Sequence, residues 1–229
     1  MFDEYKYKIE LHAHTSPASM CGKVSPEEMI ERFKKQGFNS VCITNHVMYN
    51  DAENEKKISA YLDDFHRAEK AGAENGVNVI LGAEIRFSEN NNDYLIYGFE
   101  ETDLFEINSL LGQGIDNFYK KFKNDKNVII QAHPFRDGMS RANSESVDGV
   151  EVFNMHPGHN PRIALAARFA RENNLIISAG TDFHDPGYEG ICAVMTKEPI
   201  LNTYDIAKTI KSQDFVIDLS GYKIFPNTI

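Results

Sequence analysis

The chain has few cysteines, no long apolar run and no excess of positive charge. Cys21, Cys42 and Cys192 are its three cysteines, an odd and scattered set that excludes a disulfide framework. No stretch approaches the roughly 20 apolar residues that a membrane-spanning helix needs. The opening residues Met1-Phe2-Asp3-Glu4-Tyr5-Lys6 lack the basic-then-apolar pattern of a secretory signal. These absences lead to the expectation of a reduced, cytoplasmic protein with no membrane partner. Lysine and arginine number 24 against 34 aspartate and glutamate, a net charge of −10. The average surface therefore repels a polyanion, and duplex nucleic acid is not expected as a partner. A small phosphorylated substrate stays open, because a bound cation reverses the field locally. Internal repeats, low-complexity tracts and Pro/Gly/Ser linkers are missing too. With 229 residues, 41% hydrophobic and 25% charged, the expectation is one domain over residues 1–229 with a sizeable core.

What is present is an alternation of short apolar runs with helical patterns. Residues 8–12, 40–44, 77–82, 94–98, 127–131, 149–153 and 175–179 read as strands. Most show little two-residue alternation, which suits buried parallel strands. Ser25-Pro26-Glu27-Glu28 marks a helix start, with Ser as N-cap, Pro at the first position and acids in the first turn. That helix runs to about Gln36 and stops at Gly37. Further helices are predicted over 56–75, 115–123 and 161–173. An apolar run (191–195), a helix (204–212) and a terminal strand (215–219) follow, and Gly112-Gln113-Gly114 reads as a loop. The alternation predicts an α/β fold with a parallel sheet. Seven strands in so small a domain favour a barrel over an open sheet.

The unusual polar residues gather at the strand ends. His12 and His14 end the first strand, His46 follows the second and Glu84 the third. His133 ends the fifth, Asn154 and His156 follow the sixth, and Asp182 and His184 follow the seventh. In a parallel barrel such ends converge on one face, which carries the chemistry. Asp93 is the exception, since it precedes its strand. In His12-Ala13-His14, residues two apart on a strand share a side, so two imidazoles are placed to grip one cation; two unrelated histidines would be the plain alternative. Asp182-Phe183-His184 repeats that spacing, against the alternative of a capping turn. Glu84 offers a carboxylate that bridges two metals, or else an ion pair with Arg86 or Arg136. Arg136, three residues after His133, suits an oxyanion such as phosphate or a surface ion pair. His156 and His159 read as mouth or loop residues, and His66 as a surface residue. Cys42 and Cys192 lie in apolar runs and read as inert. Cys21 lies in a polar loop, where a thiolate is a candidate ligand.

Glu10-Leu11-His12-Ala13-His14-Thr15, Pro26-Glu27-Glu28, Ile43-Thr44-Asn45-His46, Gly82-Ala83-Glu84, Ala132-His133-Pro134 and Gly180-Thr181-Asp182-Phe183-His184 together resemble the PHP family, named for polymerase and histidinol phosphatase domains. The motifs span residues 8 to 184 in the family's order. The resemblance implies a distorted seven-stranded β/α barrel of the TIM-like kind, with two or three divalent metals at the C-terminal strand ends. It implies a first metal held by His12, His14, Glu84 and Asp182. A second would share Glu84 with His133 and one further ligand, with Asp93 nearest the place of a common His. A third would use His46, His184 and a residue from the loop after His14, where Cys21 precedes Gly22 and Ser16 and Ser19 are lesser candidates. Asn45 stands where Asp is common.

The reading that follows is metal-dependent hydrolysis of a phosphate ester, with Arg136 holding phosphate and His184 or His156 protonating the leaving group. Mixed His and carboxylate ligands suit zinc, manganese or iron better than magnesium. Substrates within the family reading include a nucleotide, histidinol phosphate or another small phosphomonoester, or a short oligonucleotide cleaved by nuclease action. An amidohydrolase-type deaminase is the second enzyme reading, although no Lys lies at a strand end. A non-catalytic metal-binding regulatory domain is the third.

Overall fold

The structure is a computed structural model and describes residues 2–49 and 54–229. In chain order its elements are β1 (Tyr7–Ala13), α1 (Pro26–Lys35), β2 (Ser40–Ile43), β3 (His46–Met48), α2 (Asn54–Asn75), β4 (Asn78–Leu81), β5 (Ala83–Arg86) and β6 (Asp93–Tyr97). There follow α3 (Asp103–Leu110), α4 (Gly114–Phe122), β7 (Val128–Gln131), β8 (Gly149–Asn154), α5 (Ile163–Glu172) and β9 (Ile176–Gly180). The chain closes with β10 (Ala193–Thr196), α6 (Thr203–Ser212), β11 (Val216–Leu219) and β12 (Tyr222–Ile224). All seven predicted strands and the predicted helices are present, with ends shifted by one or two residues. The helix α3 was not predicted, and Gly112–Gly114 is a 3-10 turn running into α4 rather than a loop.

The α/β alternation holds, but the expected closed, parallel, seven-stranded barrel does not. The hydrogen-bonded ladders form two six-stranded sheets, ordered β12-β11-β10-β1-β2-β4 and β3-β5-β6-β7-β8-β9. Both are mixed. β1, β2 and β4 run parallel, while β10 joins β1 antiparallel. In the second sheet β6 runs antiparallel to both β5 and β7. Two predicted strands turn out to be bent pairs. The chain leaves β2, crosses Thr44-Asn45 and enters β3 in the other sheet; it leaves β4, crosses Gly82 and enters β5. The partners stay parallel on both sides of the bend. A parallel bridge from Ala13 to Phe183 ties the end of β1 to the segment after β9.

Helix α1 begins as its sequence demands. The Ser25 hydroxyl accepts from Glu28 N–H at 3.2 Å, Pro26 opens the helix, and Gly37 leaves it at φ +77, a left-handed conformation that costs Gly little. Its buried face of Met29, Ile30 and Phe33 packs in one core with Phe38, Tyr61, Phe65 and Phe183. A second core lies between the strands and helices α5 and α6, built from Ile9, Leu11, Leu95, Val152, Ala166 and Ile210 among others. Along β1, Ile9, Leu11 and Ala13 alternate with Glu10 and His12, and all five are buried. The polar face of this strand therefore points into the protein, where it starts the site described next.

Candidate metal centre

Ten polar side chains from seven parts of the chain meet at one end of the sheets. His12 and His14 come from the end of β1, His46 from β3 and Glu84 from β5. His133 follows β7, Asn154 closes β8, and Asp182 and His184 follow β9. Cys21 and Arg136 come from loops. The bent strands explain two of these placements: His46 and Glu84 do not trail their strands but pair across a parallel ladder, His46 opposite Glu84. The reversed β6 explains a third. Because it runs antiparallel, its first residue Asp93 lies opposite Arg86 at the end of β5. Asp93 is thus at the mouth with the others, and the expectation that it lies at the wrong end is corrected.

The innermost group consists of His12, His14, Glu84 and Asp182, all buried. The Nε2 atoms of His12 and His14 are 3.1 Å apart. His12 Nε2 lies 3.4 Å from Glu84 Oε1 and 3.3 Å from Asp182 Oδ1. His14 Nε2 lies 3.2 Å from Glu84 Oε2 and 3.4 Å from Asp182 Oδ1. Four donors on a tetrahedron around zinc, at about 2.0–2.1 Å each, sit about 3.3–3.4 Å from one another. The two imidazole nitrogens therefore stand at that spacing from each other and from the carboxylates, with Glu84 turning a different oxygen to each histidine. Close donors in this region group as His12, His14 and Glu84, as His12, His133 and Asp182, as His14, Cys21, His46 and His184, and as His46, Glu84 and Asp93.

Neighbouring hydrogen bonds fix which nitrogens face the centre. His12 Nδ1 donates to Glu151 Oε1 at 2.9 Å, which leaves the Nε2 lone pair inward. Ser19 Oγ gives its one proton to Asn45 Oδ1 at 2.8 Å, so it faces His14 Nδ1 at 3.5 Å as an acceptor. His14 Nε2 is again the free donor. His184 Nδ1 donates to the Asp182 carbonyl at 2.7 Å, leaving its Nε2 free. The His133 Nδ1 and His46 Nδ1 atoms are buried with no hydrogen-bond partner among the described residues. Such unsatisfied buried nitrogens are costly; His46 Nδ1 lies 3.1 Å from Glu84 Oε2 and fits a donor set built for cations, whereas His133 turns Nε2 to Glu84 Oε1 at 3.0 Å. Asn154 links the carboxylates, donating from Nδ2 to Glu151 Oε2 at 2.9 Å and to Asp182 Oδ2 at 3.1 Å.

The backbone is shaped for this cluster. His133 (φ 30) and Asp182 (φ 55) both occupy the left-handed region, which non-glycine residues enter at a cost and often at functional sites. Gly180 is obligatory by contact: a Cβ there would lie 2.6 Å from His12 Cβ and 2.9 Å from Glu151 Oε1. At Gly22, after Cys21, a Cβ would press on the Thr15 backbone at 2.8 Å.

The electrostatics are those of a charge-balanced cluster. Burial pulls the His12 imidazole down, but Glu151, Asp182 and Glu84 outweigh it and hold its pKa well above the usual value. Burial likewise opposes ionisation of Asp182 and Glu84, yet the neighbouring imidazoles hold both far below the ordinary carboxylate range. Burial lowers His46 to about 3 and His184 to about 4, so both are neutral near pH 7, as ligands must be. Burial, then the charges of Glu84 and Asp182, pushes the Cys21 thiol up to about 11. A divalent cation would take over the charge that the His12 proton supplies.

Several sequence alternatives are decided here. Glu84 does not pair with Arg86 or Arg136; it faces His12, His14, His46 and His133. Arg136 is not a surface pair, because it turns inward to Asp93 (3.4 Å) and Asp182 (3.6 Å). His156 and His159 pack against each other with centroids 4.5 Å apart and rings tilted by 34°, and His156 meets His184 edge-on. Both line a cleft of about 920 Å³ with Cys21, Arg86, Arg136 and His184. His66 is exposed, against Glu69 and Glu101, and Cys42 and Cys192 are buried. Sequence reasoning missed Glu151, Glu10 and the pairing of Arg86. The available signal for the first two was an acid inside an otherwise apolar strand. Glu10 Oε1 accepts from His12 N–H (2.8 Å) and Thr181 N–H (2.9 Å), bracing both metal-facing strands, and its burial raises its pKa to about 7.

Comparison with known proteins gives the family and the fold. The family model of the PHP domain matches residues 10–211. Among curated relatives, the DNA polymerase III PolC-type of Oceanobacillus iheyensis is 23% identical over 233 residues, covering 90% of this chain and 15% of that protein. The chain thus spans about a seventh of the length of such relatives. Among solved structures, a two-domain protein of Bacteroides vulgatus containing a predicted PHP-like metal-dependent phosphoesterase aligns with TM-score 0.63 at 16% identity, over 94% of this chain and 65% of that one. PsfC from Pseudomonas syringae aligns with TM-score 0.64 at 16% identity, over 88% and 87%.

Proposed function

The chain belongs to the PHP domain family, and on that premise we propose that it is a metal-dependent phosphoesterase acting on a small phosphate ester. The observation that carries this reading is the inner group of His12, His14, Glu84 and Asp182, in which the two histidine Nε2 atoms stand 3.1 Å apart and each lies 3.2–3.4 Å from an oxygen of Glu84 and of Asp182. These four would hold a first cation. Glu84 and His133 would serve a second, and His46, His184 and Cys21 a third. Zinc, manganese and iron suit this nitrogen, oxygen and sulfur set better than magnesium. When bound, the cations clamp phosphoryl oxygens and lower the pKa of a water.

The chain's own residues do the rest. Arg136, turned into the cleft, holds a phosphate oxygen. His184 and His156 were equivalent candidates for protonating the leaving group, and their hydrogen bonds separate them. His184 keeps its proton on Nδ1 and offers a lone pair at Nε2, which suits a ligand. His156 Nδ1 accepts from Gly158 N–H at 3.0 Å, so the neutral ring carries its proton on Nε2, which suits a hydrogen bond to the leaving oxygen rather than transfer of the proton itself. The PolC-type relatives are DNA polymerases, which keeps nucleotides and short oligonucleotides among the candidate substrates beside histidinol phosphate.

The test is phosphate release by the manganese- or zinc-loaded protein from a panel of phosphomonoesters and short oligonucleotides. The control is the His12→Ala/His14→Ala double variant. Metal-dependent release, lost in the control, is expected. A protein shown to carry its ions that releases no phosphate from any member of the panel, yet releases ammonia from amide or amidine substrates, would overturn the reading in favour of a deaminase.

A further inference from the structure

Asp93 stands where a further ligand for the second cation is expected, but its surroundings are those of an anchor. It is the first residue of the reversed strand β6 and lies directly opposite Arg86 of β5. Arg86 grips it with both tines of the guanidinium fork: Nε to Oδ1 at 2.6 Å and Nη2 to Oδ2 at 2.7 Å. Arg136 Nη2 donates to Oδ2 as well, at 3.4 Å. This is the bidentate geometry in which guanidinium and carboxylate bind most strongly. A divalent cation on the same carboxylate would face two guanidinium charges one hydrogen bond away. The two nearby imidazoles turn to Glu84 instead, His133 Nε2 lying 3.0 Å from Glu84 Oε1 but 3.8 Å from Asp93 Oδ2, and His46 Nδ1 lying 3.1 Å from Glu84 Oε2.

The charges point to what the arrangement does instead. Asp93 is wholly buried, whereas the side chains of Arg86 and Arg136 are 29% and 16% exposed, and both line the cleft. Arg86 and Arg136 share Asp93, and Arg136 also faces Asp182 Oδ2 at 3.6 Å, so both guanidiniums are held at the cleft wall by buried carboxylates. Each guanidinium has five N–H donors, and Arg86 spends only two on Asp93. The remaining donors are free for an oxyanion, in a fork that matches phosphate. Asp93 meanwhile fixes the orientation of both side chains, which would otherwise have to be ordered by the substrate itself.

We propose that Asp93 is not a metal ligand in this chain but the buried anchor of a two-arginine clamp, Arg86 and Arg136, which receives an anionic oxygen of the substrate at the corner of the cleft next to His133. The inference rests on the phosphoesterase reading for the identity of the anion, but its claim about Asp93 does not.

The experiment compares wild type, Asp93→Asn and the double variant Arg86→Gln/Asp93→Asn. Ions per chain are counted by elemental analysis after manganese or zinc loading and gel filtration. Binding of inorganic phosphate to the loaded proteins is measured by calorimetry. The double variant removes one positive and one negative charge together, so the charge of the cleft is unchanged and a loss of phosphate affinity reports lost contacts. It also covers the case in which Asp93→Asn alone, leaving two guanidiniums without their carboxylate, fails to fold by circular dichroism. The expected result is the wild-type ion count in both variants and phosphate binding weakened about tenfold or more in the double variant. One ion fewer per chain in either variant would make Asp93 a ligand and overturn the proposal. Undiminished phosphate affinity in the double variant, in a protein whose wild type does hydrolyse phosphate esters, would overturn the clamp alone. Wild type that carries its ions but binds no phosphate would overturn the clamp together with the phosphoesterase reading, while the ion count still decides the place of Asp93.

Discussion

Glu151 touches none of the proposed substrate space, yet it decides which nitrogen of His12 faces the centre. Its Oε1 takes the Nδ1 proton at 2.9 Å, and its Oε2 takes His133 N–H at 3.1 Å and an Asn154 amide proton. A Glu151→Gln variant loses the charge that favours this tautomer and can present an N–H where an acceptor is needed. Partners of this kind change metal affinity about 10–100-fold, so the variant is expected to bind its tightest ion that much more weakly in a chelator competition. An unchanged affinity would show that packing alone orients His12. The contrast with His12 itself explains what could be read from sequence. His12 and His14 announce themselves because two-residue spacing on extended chain puts a pair on one side wherever the strand lies, and Asp182 and His184 repeat that spacing in sequence although Asp182 turns into the left-handed region. Glu151 and Arg86 have no such local signature. Their roles depend on partners 139 and 7 residues away, and those partners are set by which strands adjoin.

Strand direction is the feature that short apolar runs do not encode. Tyr94-Leu95-Ile96-Tyr97 is a buried strand in either direction, and only its antiparallel pairing with β5 and β7 carries Asp93 to the mouth. The bends after β2 and β4 are equally hidden, because three- and four-residue strands rich in polar residues fall below the length at which a period is recognisable. The segment after β9 illustrates how packing then holds the site. Phe183 N–H donates to the His12 carbonyl at 3.0 Å, and His14 N–H donates to the Phe183 carbonyl at 2.9 Å. These bonds align Asp182 and His184 with the two histidines of β1. The Phe183 ring points the other way, fully buried, and meets Phe33 of α1 edge-on with centroids 5.1 Å apart. Replacing such a ring by Ala costs about 3–5 kcal/mol. Phe183→Ala is therefore expected to lose about that much stability in urea titration, and to weaken ion binding because the segment is no longer pinned. A loss below about 1 kcal/mol would mean that the two backbone bonds hold the segment without the ring.

At the scale of the whole molecule, the charge distribution runs against the net charge. The chain carries −10, yet the cleft is lined by five cations, Lys23, Lys56, Lys57, Arg86 and Arg136, against the four acids Glu84, Asp137, Asp182 and Asp185. Low-dielectric walls focus such a field, so a small anion can be drawn in by a protein whose average surface repels one. The floor of the cleft is the opposite: buried carboxylates of Glu84 and Asp182, balanced by protons on imidazoles and by Arg136 beside Asp182. This floor draws on both sheets, with His12 and His14 from one and His46, Glu84 and His133 from the other. An ion bound there ties the sheets together and is lost on unfolding, so its binding free energy adds to stability by mass action. At a free concentration about 100 times the dissociation constant that amounts to about 2.7 kcal/mol. A chain of this length gains about 2–4 °C per kcal/mol. The manganese- or zinc-loaded protein is thus expected to melt about 5–11 °C above the chelator-treated protein. The His12→Ala/His14→Ala double variant should show almost none of this gain, because the shell that spans the two sheets has lost both of its β1 donors. An equal rise in melting temperature for both proteins would place the stabilising ion outside this centre and remove the physical basis for reading it as the catalytic one.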